Sequence, residues 1–402
     1  MKRNLVGYLA VIVLLLCFNS TNIGVGGVED PIGDIAVILD ASACYDEYFL
    51  QDVINGFDAI NQTYQMNYSI FRLENYTVTN TSYNAYNATY DYFNSTTNTS
   101  STVTHTQLAK SLIDSDKFDL IAFIGYELRH IIYEETPLPE LYPNTKFLFY
   151  DISGEISSDG QDTNRNNVLR VSFAENETGY MAGVLAAATI SSFPSKVAAV
   201  GIQPLFWEET GEPRSKMLIA GFQAAVMRRN PETQIDIFYI EYYVNYSVAK
   251  TQGTKLESDG YELVFTALQN ENTLGILDGF SKKIISVDSN RSLISGNKPY
   301  GSIVKNNTKA LLATFEILNQ SGTYLSGDLT FGFQDDVFYP NGWGNNNTLV
   351  NNTMEQIYQD LFVDKITIPK DILLAENTPG FELITGFGLI LLLSVVVRKR
   401  RE

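Results

Sequence analysis

Short apolar runs recur along the chain: AVILD (36–40), DLIAFIG (119–125), KFLFYD (146–151), KVAAVGI (196–202), DIFYI (236–240), ELVFTAL (262–268) and KIISVD (283–288). Each is of strand length and continuously apolar rather than alternating, the pattern of a strand covered on both faces. Between them lie stretches whose apolar positions return every three to four residues, such as FLQDVINGFDAIN (49–61), ETGYMAGVLAAATI (177–190) and SKMLIAGFQAAVMRR (215–229), and these predict helices. Strands alternating with helices predict parallel sheets between helical layers. Roughly Pro31 to Asp371 leaves about 340 residues, enough for two domains of ordinary size. The expected fold is therefore α/β, with two doubly wound lobes.

One stretch breaks the rhythm. Residues 76–105 are nearly all Asn, Thr, Ser and Tyr without apolar periodicity, and are expected to form a long loop after a strand near 68–73. N-x-S/T sequons crowd this stretch and the residues just before it, at Asn61, Asn67, Asn75, Asn80, Asn87, Asn94 and Asn98, so the loop is expected to carry glycans. Further matches, at Asn176, Asn245, Asn290, Asn306, Asn319, Asn346 and Asn351, are weaker one by one because an Asn-rich chain makes them by chance.

The two ends place the chain at a membrane. Lys2 and Arg3 precede an apolar run from Leu5 to Phe18, the layout of a secretory signal peptide, expected over residues 1–27. At the other end Gly380 to Val397 is an apolar run of about 27 Å as a helix, followed by Arg398, Lys399, Arg400 and Arg401. A transmembrane anchor at 380–397 with a basic cytoplasmic tail at 398–402 puts the bulk of the chain outside the cell. Pro379-Gly380-Phe381, an apolar helix and then bases resembles the PGF sorting signals of archaeal surface proteins. Loss of Cys17 with the signal would leave Cys44 alone, so no intrachain disulfide is expected. The net charge of −18 argues against a nucleic-acid partner, which needs a basic face.

Three strands end on an acid: Asp40, Asp151 and Asp288. One such acid is ordinarily a turn or cap residue, but in open parallel sheets ligands sit at the carboxyl ends of strands, where three can meet. Carboxylates there suit a ligand rich in hydroxyl or amino groups.

The order of segments resembles the basic membrane protein family of solute-binding proteins, which includes the purine nucleoside receptors of ABC importers. The resemblance is carried by AVILDASACYDEYFLQDVINGF (36–57), DLIAFIG (119–125), YPNTKFLFYD (142–151), VLRVSFAENETGYMAGVLAAA (168–188), KVAAVGIQP (196–204), IAGFQAAVMRRNPE (219–232), IISVDSN (284–290) and GSIVK (301–305). It implies a type I periplasmic-binding-protein fold whose lobes close on ligand about a hinge. Residues 31–172 with 303–326 would form the N-terminal lobe, 173–302 with 327–371 the C-terminal lobe, and 372–379 a linker to the anchor. Carried over position by position, the resemblance implies that Asp40, Asp46 and Phe49 belong to the first ligand loop, with Phe49 stacking on a base. Asp151 would pair with that base, and Asp288 and Lys305 would hold the ribose. Three places depart from the pattern: Leu50 stands where the first loop's asparagine falls, Leu218 stands where a second stacking phenylalanine falls, and ALQNEN (267–272) replaces a glycine-rich loop, so that Leu268 and Gln269 would fill space near the sugar. Phe206 or Trp207 could supply a replacement wall.

The expected function is capture of a nucleoside-like molecule for an ABC permease and ATPase by a monomer without cofactor or metal. A surface receptor for another small polar ligand, without transport, is the alternative. An enzyme is disfavoured because the chain has no phosphate-binding P-loop, G-x-S-x-G elbow or H-E-x-x-H motif, and its only histidines, His105 and His130, read as structural or solvated. A nucleoside hydrolase using paired acids is the remote third reading.

Overall fold

The computed structural model describes residues 24–25, 32–39, 47–72, 76–77, 89–94, 99–125, 128, 131, 137–152, 165–190, 195–202, 214–240, 246–268, 270–290, 300–342, 347–363 and 366–369. Of the expected signal peptide only Gly24 and Val25 are described, and they pair with β15 inside the N-terminal sheet, so its expected end at residue 27 runs into the fold; its other residues, the linker and the C-terminal anchor lie outside the described residues, as does His130. Among the described residues no helix is long and apolar enough to cross a membrane.

The chain crosses between two lobes three times. Its first pass lays down β1 (Gly24–Val25), β2 (Asp34–Leu39), α1 (Glu47–Tyr64), β3 (Asn67–Phe71), the short strands β4 (Tyr76–Thr77), β5 (Thr89–Asn94) and β6 (Thr99–Val103), α2 (His105–Asp114), β7 (Leu120–Ile124), α3 (Leu138–Leu141), β8 (Lys146–Tyr150) and β9 (Val168–Phe173). Past Ala174 come α4 (Glu175–Thr189), β10 (Lys196–Ile202), α5 (Arg214–Arg229), β11 (Gln234–Ile240), α6 (Tyr246–Ser258), β12 (Leu263–Ala267), α7 (Asn270–Gly279), β13 (Lys283–Asp288) and β14 (Tyr300–Lys305). The chain returns at Asn306 for α8 (Asn307–Ser321) and β15 (Leu325–Phe331), then leaves again at Gly332 through a 3-10 turn (Phe333–Asp335), β16 (Phe338–Gly342), α9 (Asn347–Tyr358) and a π-helical turn (Gln359–Val363).

The N-terminal sheet runs β1-β15-β9-β8-β7-β2-β3 and the C-terminal sheet β11-β10-β12-β13-β14-β16. Both are parallel except at one edge, where β1 meets β15 and β16 meets β14 antiparallel. The continuous apolar runs are buried along their whole length in β7, β8, β9 and β12. Their side chains divide by the two-residue period of a strand: Ile35, Val37 and Leu39 of β2 join one core layer while Ala36 and Ile38 join the layer on the opposite face. In the C-terminal lobe α4 and α5 pack backbone to backbone. A Cβ at Gly179 would lie 1.9 Å from the Leu218 carbonyl oxygen, and one at Gly221 would lie 1.9 Å from that of Asn176, so only glycine allows the approach.

The structure departs from expectation at three places. The segment 76–105 is not a plain loop: β4, β5 and β6 pair into a small antiparallel sheet and His105 opens α2 as a buried residue. Thr, Tyr and Phe favour extended backbone even without a hydrophobic period, and Thr104 with Gln107 forms a reciprocal helix cap, which the composition masked. The lobe boundaries move as well. β14 belongs to the C-terminal sheet through Lys305 and β15 to the N-terminal sheet through Phe331, so the second N-terminal segment is 306–331 rather than 303–326. Third, several sequon asparagines work inside the fold: Asn61 donates to the Met66 carbonyl, Asn176 to that of Ile368, and Asn306 caps α8.

Candidate functional site

At the carboxyl ends of the strands, residues from both lobes meet around one amine. Asp151 follows β8 of the N-terminal sheet, while Asp288 ends β13 and Lys305 ends β14 of the C-terminal sheet. Lys305 Nζ lies 2.8 Å from Asp151 Oδ1, 2.9 Å from Glu175 Oε1 and 3.4 Å from Asp288 Oδ1, with its side chain wholly buried. The Asp151 contact bridges the lobes. Phe173, the last residue of β9, places its ring beneath the amine with the centroid 4.3 Å from Nζ, a cation–π contact. Tyr150 and Phe338 pack edge-on against that ring, closing the floor of the site.

Local backbone explains why acids stand at these tips. Asp151 and Asp288 both adopt left-handed backbone, with φ of 64° and 74°. Among non-glycine residues, Asp and Asn tolerate this region best, because a short polar side chain can bond locally. The bend ends each strand abruptly and coincides with the site, as strained backbone at functional positions often does.

Two members were not foreseen. Glu175 is the first residue of α4, where a carboxylate complements the helix dipole, and Arg214 opens α5, where a cation does not. Arg214 is held there by acids instead: its Nε lies 2.6 Å from Glu175 Oε1, and Nη2 donates to Asp288 Oδ1. The signal for Glu175 was present in the acidic start of a helix directly after a buried strand. Arg214 had none, since its partners lie 39 and 74 residues away in the chain.

The charges reinforce one another. Burial pushes the Asp288 carboxyl upward, but Arg214 and Lys305 outweigh it and hold the group at about 2. Desolvation and the nearby Arg214 push Lys305 down, and Asp151, Asp288 and Glu175 overcome both, leaving the amine raised. Arg214 likewise ends well above its ordinary value because the carboxylates outweigh its burial. Among the described residues no group of three His, Cys, Asp or Glu is arranged to hold a metal ion; these acids gather around cations of the chain itself.

The structure thus brings together Asp151, Asp288 and Lys305 of the residues expected from sequence. Phe49, in the first turn of α1, is packed into the N-terminal core beside Leu50 and Val53. Asp40, Asp46, Phe206 and Trp207 lie outside the described residues. Two expected departures resolve into packing: Leu218 is buried against α4, and Leu268 belongs to the core layer of Val264, Ile276 and Phe280. Leu268, the residue after β12, therefore packs into that core layer rather than filling the site.

Two lobes of parallel sheet joined by three crossings, with a charged cluster where their strand tips face one another, define the periplasmic-binding-protein class of fold. Residues 35–374 match the family of PnrA-like ABC transporter substrate-binding proteins, and the chain belongs to that family, one of binding proteins rather than enzymes. The CD4+ T-cell-stimulating antigens of Listeria monocytogenes and Listeria innocua are each 29% identical over 150 residues, which is 37% of this chain and 36% of theirs, so the match spans about a third of those relatives. A solved solute-binding protein of an ABC transporter system from Aeropyrum pernix shares the fold at a TM-score of 0.58 and 13% identity, covering 85% of this chain and 94% of its own. A solute-binding protein from Agrobacterium vitis, solved with alpha-D-tagatopyranose, gives 0.52 at 14% identity, covering 80% and 99%. At these identities the likeness is one of fold alone.

Proposed function

We propose that this protein captures a nucleoside-like solute between its lobes, outside the cell, and presents it to an ABC permease and ATPase. The supporting observation is the convergence of Asp151, Asp288 and Lys305 from two separate sheets on one point. In this reading Asp288 and Lys305 take the vicinal hydroxyls of the sugar, and Asp151 takes a ring N–H or amino group. Because Lys305 touches acids of both lobes, a ligand that bonds the same groups favours the closed arrangement. The chain is held at the membrane by its C-terminal segment, in the manner of the archaeal PGF signals. An intact RKRRE end in the native protein, read by mass spectrometry, would rule out processing of that tail.

Thermal unfolding of the full chain with a panel of nucleosides and free sugars tests the ligand. A nucleoside at 100 times its dissociation constant adds about 2.7 kcal/mol of stability. A panel in which only free sugars shift the transition would overturn the nucleoside reading.

A further inference from the structure

Glu175 has a role that gripping Lys305 and Arg214 does not account for. It is 3% exposed, and its Oε1 receives both Lys305 Nζ and Arg214 Nε. Its Oε2 is buried and meets no donor among the described residues. A carboxylate oxygen stripped of water and left without a donor costs free energy, so the site favours any group that supplies one. The asymmetry extends to its neighbours: Asp151 and Asp288 also meet the cations through Oδ1 alone. Among the described residues three carboxylates face two cations, a formal charge of −1.

Resting on the reading that this cleft is the solute site, we propose that Glu175 contacts the bound solute directly and that the solute carries a protonated amine at that point. An ammonium brings three N–H donors and one positive charge, so it satisfies Oε2 and cancels the excess charge together. A neutral hydroxyl satisfies the oxygen but leaves the charge, and a carboxylate or phosphate adds to it. Arg214 is the positioning residue: by holding Oε1 it determines which oxygen of Glu175 is left for the solute.

The test is calorimetric titration of the full chain at pH 7 with two matched pairs, adenosine against 5′-amino-5′-deoxyadenosine and glucose against glucosamine. The expected result is that an amine binds at least about tenfold tighter than its neutral parent, a difference of about 1.4 kcal/mol. Glu175→Gln should narrow that ratio to within about threefold, and raising the pH above the amine's own pKa should erase it in the wild type. Neutral parents binding as tightly as their amines overturns the inference and leaves the nucleoside reading standing. Glucosamine preferred over glucose, with neither nucleoside bound, supports the inference and sinks the nucleoside reading. No binding of any of the four at millimolar concentration overturns both. Should Glu175→Gln not fold, the wild-type ratio and its pH dependence still decide.

Discussion

Two buried carboxylate clusters in this molecule use the same residue types to different ends. In the C-terminal lobe, Asp360 of the π-helical turn is 1% exposed. Its Oδ2 accepts from Tyr180 of α4 at 2.8 Å and from Arg229 of α5, while Oδ1 accepts from Gln356 at 3.1 Å with Arg228 3.6 Å away. Every oxygen is occupied and all these partners belong to one lobe, so the cluster staples the C-terminal segment onto the α4–α5 pair. The Lys305 cluster joins two lobes and leaves Glu175 Oε2 without a donor among the described residues. A satisfied network rigidifies, whereas an incomplete one marks where another molecule would complete it.

Substitutions can break that contrast. The largest effect is expected for Lys305→Met, which strands the buried Glu175 and the partly buried Asp151 and Asp288 beside a single arginine. Removing one partner of a buried ion pair costs about 3–5 kcal/mol, read by denaturant unfolding, and nucleoside binding should disappear. Unchanged stability would mean that the cluster does not join the lobes. Asp360→Asn should cost about 2–3 kcal/mol by the same measurement while leaving solute affinity within about twofold, since it loses charge-assisted bonds far from the strand tips. A lost affinity would erase the division between staple and site.

The pH dependence sharpens the comparison further. Asp288 is held at about 2, below its ordinary 3.8, so its contribution is fully present above pH 3.8 and is lost as pH falls through about 2. A loss on the order of 2 kcal/mol is expected across that window, and Asp288→Asn should flatten it. The smallest effect concerns the third crossing, where Glu177 accepts from the Phe333 N–H at 2.8 Å and burial raises its carboxyl above 4.5. Here the sign reverses: the folded state holds the proton more tightly, so stability rises as pH falls through the raised value towards 4.5. Glu177→Gln keeps an acceptor for Phe333, and should gain up to about 1 kcal/mol at neutral pH and abolish that rise. A destabilised variant would show that the charge itself supports the hinge.

Particular residues show how far the pattern could be followed. The seven apolar runs all became strands, because a continuous apolar run leaves a local mark that needs no knowledge of partners, even in β11, which lies at the sheet edge and is only half-buried. Asp151 and Asp288 were legible as acids ending such runs. Lys305 was reached through resemblance, since a lysine at the end of GSIVK has no local signature of being wholly buried. Arg214 was invisible, because nothing within its own helix calls for a base there. The Tyr- and Thr-rich strands of the small antiparallel sheet were missed for the opposite reason: a low-complexity composition hid a β-propensity that pairing made decisive.

The amino-acid sequence by itself determined the alternation of buried strands and helices, and hence two parallel sheets with acids at their tips. These are consequences of local periodicity and burial. Only the tertiary structure decided that Glu175 and Arg214 join Asp151, Asp288 and Lys305, that Leu268 packs into a core layer, and that Glu175 Oε2 is left without a donor among the described residues. Those outcomes depend on distances between residues up to 154 positions apart, which chain crossings and sheet order set and which no local pattern encodes.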